Sequence, residues 1–156
     1  MALILSGDAG ITFPVTAGSA SAVQASSGRV LQVVQGTYAT ETSFTSTSFV
    51  ATNLTASITP TSSTSKVLIS AVLPLQSGAL GIITYSFYRG TTNLDSDGFG
   101  RWYTASADTN AVMLYLDSPS TTSATSYSVY IKTSASTAYY CINNETASIV
   151  LQEIAA

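Results

Sequence analysis

The chain has no histidine, a single cysteine, and only five Lys/Arg and eight Asp/Glu side chains among 156 residues. Each shortage excludes something. Without histidine there is no imidazole to serve as general base near neutral pH. With one thiol, no intrachain disulfide can form. Cys141 lies in the apolar and aromatic run 138–142 and reads as a small buried hydrophobe, with no base to make it a nucleophile. Arg29, Lys66, Arg89, Arg101 and Lys132 stand singly, so no basic stripe exists for nucleic acid. No apolar run reaches the length of a membrane span, so no membrane insertion is expected. The opening Met1-Ala2-Leu3-Ile4-Leu5 is too short, and lacks the basic start, for a signal peptide. Charged residues make up 8% of the chain, against about a quarter in an ordinary domain. A solitary molecule with so few charges is weakly protected against association. These absences point to a structural or binding module and not an enzyme.

What is present is β-forming, rich in Ser and Thr, and punctuated by glycine. Residues 1–28 hold few bulky groups and many small ones, and read as an arm; Leu3, Ile4, Leu5, Ile11 and Phe13 give it apolar surface to dock on a partner. Residues 29–156 read as one head domain of short strands separated by turn chemistry. Strands are expected at 30–34, bounded by Gly28 and Gly36; at 66–73, stopped by Pro74; at 82–89; at 111–116; at 127–132, with Tyr127, Val129 and Ile131 facing together; at 138–143; and at 147–154. The fold class that follows is all-β, an antiparallel sandwich or jelly roll with an extended N-terminal arm. Several strands are apolar on both faces, as in Ile69/Leu73 against Leu68/Val72. A sheet with one wet face alternates more cleanly, so the outer surface is expected to meet another subunit.

Candidate sites are few. Asp95-Ser96-Asp97-Gly98 has the alternating carboxylates of a calcium loop but lacks its further ligands, and a turn is the expected outcome. Phe99, Arg101, Trp102 and Tyr103 form the densest aromatic group and make a candidate recognition loop. The alternative is that Trp102 fills the core and Arg101 is the exposed member. A glycosidase pair would need two of Asp95, Asp97, Asp108 and Asp117 to converge, which nothing in their spacing requires. No catalytic residue, cofactor site or metal site is assigned.

Four segments resemble modular structural proteins of tailed bacteriophages, particularly those of cyanobacterial and marine phages. The opening Ser6-Gly7-Asp8-Ala9-Gly10-Ile11-Thr12-Phe13-Pro14 looks like the short N-terminal segment of many phage fibre-like proteins, and Gly28-Arg29-Val30-Leu31-Gln32-Val33-Val34-Gln35 resembles the entry strand that follows it. Ser57-Ile58-Thr59-Pro60-Thr61, running on to Lys66-Val67-Leu68, resembles their polar loop and second strand. Ala147-Ser148-Ile149-Val150-Leu151-Gln152-Glu153-Ile154-Ala155 resembles their last strand. The resemblance implies a fibre-like or capsid-decoration protein with a homotrimeric β-sandwich head. It further implies partners in its own copies and, through the arm, the major capsid protein or another virion protein. An arm of this length reaches at most about 90 Å when extended, and no heptad pattern supplies a shaft. The expectation is therefore a decoration (cement) protein on the virion surface, with a tail-fibre or spike tip binding a host surface glycan or receptor as the alternative.

Overall fold

The computed structural model describes residues 28–78, 80–104, 107–134 and 137–156, together with short strands at 4–6 and 10–12. In chain order the strands are β1 (Ile4–Ser6), β2 (Gly10–Thr12), β3 (Val30–Tyr38), β4 (Thr42–Phe44), β5 (Val50–Ile58), β6 (Lys66–Ser77), β7 (Gly81–Arg89), β8 (Thr92–Asn93), β9 (Gly100–Thr104), β10 (Asp108–Asp117), β11 (Thr125–Thr133), β12 (Ala138–Tyr140) and β13 (Ala147–Ile154). A 3-10 turn, Ile142–Asn144, joins the last two. All pairings are antiparallel. One sheet runs β3–β13–β6–β10, with β12 following β13 along the same edge of β6 and β4 paired outside β12; the other runs β5–β11–β7–β9, with β8 paired to the other end of the same β7 edge. Successive long strands pass from one sheet to the other, which is the strand order of a jelly roll.

Period-two alternation builds the core. Val67, Ile69, Ala71 and Leu73 of β6, Ile149 and Leu151 of β13, and Leu54, Ala56 and Ile58 of β5 all point between the sheets. Tyr127, Val129 and Ile131 do so together, as their spacing predicts. Fully burying each such large side chain contributes roughly 1.5–3 kcal/mol.

Several boundaries differ from the sequence expectation. β3 does not stop at Gly36. A Cβ there would lie 2.1 Å from the Thr55 carbonyl oxygen, so glycine lets β3 continue while β5 crosses close against it. β6 passes through Pro74 because the missing N–H falls where the neighbour on that edge changes from β13 to β12; the Pro74 carbonyl accepts from Cys141 N at 2.9 Å. The strand expected over 138–143 ends at Tyr140, because Cys141 and Asn143 take left-handed backbone angles. β5 was not foreseen: its hydroxyls and small residues hid a clean alternation. In the arm, Ile4 pairs with Thr12 and Leu5 with Ile11, making a two-stranded ladder where an extended segment was expected. The β-compatible residues Ile4, Leu5, Ile11 and Thr12 account for it.

Two carboxylates are buried with partners. Asp117 of β10 accepts from Arg89 Nη1 of β7 at 2.8 and 2.9 Å and from the Tyr127 hydroxyl of β11 at 2.7 Å, so the cluster ties one sheet to the other. Burial, then the hydrogen bond to Asp117, hold the Tyr127 hydroxyl far above its ordinary pKa. At the start of the crossover from β5 to β6, Glu153 accepts from Gln32 Nε2 (2.6 Å) and from both the amide and hydroxyl of Thr61 (2.7 Å each).

Burial alone would raise the Glu153 pKa, but hydrogen bonds from Gln32 and Thr61, with Ser65 beside them, outweigh it and lower it to about 2. A carboxyl lowered on folding stabilises above its unfolded pKa. The contribution is lost as pH falls from near 5 toward 2. Glu153→Gln is expected to cost about 2 kcal/mol at pH 7, allowing for solvent near the loop, and the gap to the native chain should shrink by pH 3. Urea unfolding at both pH values checks this; an equal gap at both would refute it.

Candidate functional site

The largest anomaly on the surface is the outer face of β10, β6 and β13. Register aligns three rungs there. Val112 pairs with Val72, which pairs with Ser148; Leu114 with Ser70 and then Val150; Leu116 with Leu68 and then Gln152. The inward neighbours Ala111 and Met113 fill the core, so alternation forces Val112, Leu114 and Leu116 outward, where they are 70%, 65% and 47% exposed. Val72 is exposed beside them, and a shallow groove of about 200 Å³ runs between Val72, Val112, Leu114 and Val150. No charged side chain sits on these rungs. Among the described residues β10 is paired on one edge only, so its free edge borders the same apolar face. This is the two-faced character read from Leu68/Val72, and no described loop covers it. Val33, on the outer face of β3, extends the apolar character to the far edge of the sheet.

The candidate recognition residues do not form a loop. Gly100–Thr104 is a strand, so its side chains alternate between faces. Trp102 pairs with Ile83, a fully buried residue of β7, and packs half-buried against the core. Phe99 packs between the sheets, its ring tilted against Phe87 at 5.3 Å and edge-to-face with Tyr115 at 4.8 Å between ring centres. Arg101 alone of the described side chains points out. Tyr103 pairs with Ile82 through its backbone, and its side chain lies outside the described residues.

Arg101 belongs to a different constellation that sequence reasoning missed. Lys132 of β11 pairs with Thr84 of β7, and Thr84 pairs with Arg101 of β9, so one outer rung carries two of the chain's five cations. Only strand order could reveal this, since 101 and 132 are remote in sequence. The rung lines a cleft of about 260 Å³ together with Thr47, Ile82, Thr133 and Ser134. Lys132 Nζ sits 4.4 Å from the centre of the Phe49 ring, and Phe49 in turn edges Tyr88, which stacks on Tyr130 at 3.7 Å.

The remaining candidates resolve as structure. Residues 95–98 form a turn, with Asp97 N donating to Asp95 Oδ1 and Gly98 N to the Asp95 carbonyl. No group of potential metal ligands assembles among the described residues. Asp108 and Asp117 lie at opposite ends of β10, about 30 Å apart, well beyond a glycosidase pair. Cys141 is buried, burial raises its pKa, and its Sγ donates to the Tyr38 carbonyl at 3.4 Å. Of the docking-arm residues, Ile4, Leu5 and Ile11 fall in the β1–β2 ladder, while Leu3 and Phe13 lie outside the described residues. Among the described residues no helix is long and apolar enough to cross a membrane.

No protein-family model matches the chain, and no curated protein matches it in sequence. Its structure is similar to a chain of the T13 viral particle of infectious bursal disease virus (IBDV), with a TM-score of 0.51 at 16% identity, over 84% of this chain and 37% of that one. A chain of the VP2 subviral particle of the same virus is 18% identical, over 99% of this chain and 46% of that one, with a TM-score of 0.46. The chain thus spans less than half the length of either. At these identities the likeness establishes the fold: an all-β, antiparallel jelly roll of the kind found in an icosahedral virus particle.

Proposed function

We propose that the chain is a non-catalytic structural protein of a tailed-bacteriophage virion, a homotrimeric decoration (cement) protein on the capsid surface. The apolar face of β10, β6 and β13 carries the reading. Its three central rungs have no charge to recognise an ionic partner, and it borders the free edge of β10, so the occupants that fit it are neighbouring copies of this chain gathered around a common axis. The jelly roll shared with the IBDV particle supports a virion role, and the resemblance to phage structural proteins supports three copies around an axis.

Residues 1–28 then serve as the attachment arm. Leu3, Ile4, Leu5, Ile11 and Phe13 supply its apolar docking area on the major capsid protein or a neighbouring virion protein. A protein that binds only the assembled shell lowers that state's free energy by RT ln(1 + [L]/Kd) at each site, multiplied over the many sites of a particle. A second reading, a tail-fibre or spike tip that binds a host surface, is favoured by one observation: outward-facing Arg101 sits with Lys132 on the opposite sheet face.

Two measurements test the assembly reading. Light scattering on the native chain should give three times 16.1 kDa. Val112→Asp with Leu114→Asp should reduce this to the single-chain mass with an unchanged circular-dichroism spectrum, because each buried carboxylate would cost several kcal/mol at an apolar contact. A native chain already at 16.1 kDa would overturn the reading. Deleting residues 1–14 should leave the trimer intact but abolish its joining to particles; decoration by the deletion variant would remove the arm assignment.

A further inference from the structure

We propose that the outer face of β7, β9 and β11 binds an acidic saccharide, with the anionic group held between Arg101 and Lys132 and the sugar ring laid toward Phe49 and Tyr88. The proposal deepens the tail-tip reading by naming a ligand class, but it does not require that location, since a decoration head would present the same face.

The register sets the geometry. Lys132, Thr84 and Arg101 occupy one rung across three adjacent strands, so the two cationic residues have Cα atoms about 10 Å apart with a threonine between them. Side chains of this length, on the same face, can converge on one anion above Thr84. Arg101 has no hydrogen-bond or ion-pair partner among the described residues; the one ion pair among them joins Arg89 to Asp117. Lys132 rests on the Phe49 ring, which orients its ammonium without neutralising it. Asp95 and Asp97 belong to the turn that packs on Thr84 through Gly98, but neither lines the cleft nor pairs with either cation.

The rest of the cleft selects among anions. Its other lining groups are hydroxyls and an isoleucine, with Thr47, Thr84 and Ser134 able to exchange hydrogen bonds with a polyhydroxylated ligand. Phe49, Tyr88 and Tyr130 form a contiguous, partly exposed aromatic surface at its side, suited to the apolar face of a sugar ring. A volume of about 260 Å³ accommodates a single saccharide unit and not an extended chain. Nucleic acid fits poorly, because two cations without a basic stripe neutralise too few phosphates.

Titration calorimetry on the full chain tests this with four probes: a galacturonate trisaccharide, a sulfated disaccharide, neutral maltotriose and inorganic sulfate. The acidic sugars should bind with an affinity that falls as salt rises, and maltotriose at least about tenfold more weakly. Arg101→Ala with Lys132→Ala should weaken the acidic sugars by about tenfold or more, with light-scattering mass and Trp102 fluorescence unchanged. Equal binding of acidic and neutral sugars, undiminished binding to the double variant, or binding of sulfate but of no acidic sugar at millimolar concentration would each overturn the proposal. Mass and particle decoration are read separately, so failure here is distinguishable from failure of the assembly reading.

Discussion

The Glu153 carboxylate is the point at which separate parts of this chain become one fold. Gln32 comes from the first strand of the head, Thr59 and Thr61 from the crossover between the sheets, and Glu153 from the last strand. Gln32 Nε2 spans Glu153 and the Thr59 carbonyl, and Thr61 gives the carboxylate both its amide and its hydroxyl. A buried carboxylate is costly unless each lone pair finds a donor, so the loop, β3 and β13 must arrive together. An apolar side chain at 153 would impose no such condition on its neighbours.

With that corner fixed, the register of β6 follows, and with it the character of both sheet surfaces. β6 is the hub, bordered by β10 along one edge and by β13 and then β12 along the other. Because side chains alternate strictly, placing Ile69 and Leu73 inward commits Leu68 and Val72 to the outside. The same logic on β10 places Met113 inside and Leu114 outside. The apolar outer face is thus an unavoidable result of strands that are apolar at both parities.

Much of this was legible in sequence. Tyr127, Val129 and Ile131 announce their shared face, the sequence pattern matches the span of β13 residue for residue, and the two-sided pattern of β6 points to the exposed patch. Other features were hidden for definable reasons. β5 buries Leu54, Ala56 and Ile58 but intersperses Thr, Asn and Ser, so its alternation is carried by small differences in side-chain polarity. Pro74 looked like a stop because its cost depends on which edge lacks a partner, a property of pairing. The 99–103 group looked like one recognition loop, whereas strand geometry sends Arg101 and Trp102 to opposite sides. Arg101 then acquires Lys132 as neighbour only through the order of β11, β7 and β9.

The two outer faces differ in chemistry, and this difference gives the molecule a direction. The central rungs of β10, β6 and β13 offer valine and leucine without charge, and Lys66 and Asp108 stand only at the ends of that face. The face of β5, β11 and β7 offers Asn53, Thr55, Ser57 and Ser128 along with Lys132 and the aromatic set. Copies that associate through the first face necessarily turn the second away from their common axis, since the two lie on opposite sides of one sandwich. Hydroxyls on that second face keep it hydrated without the charges the chain lacks. Scarcity of charge is therefore coherent with the fold: the face that needs water has it through serine and threonine, and Arg101 and Lys132 on it have no ion-pair partner among the described residues.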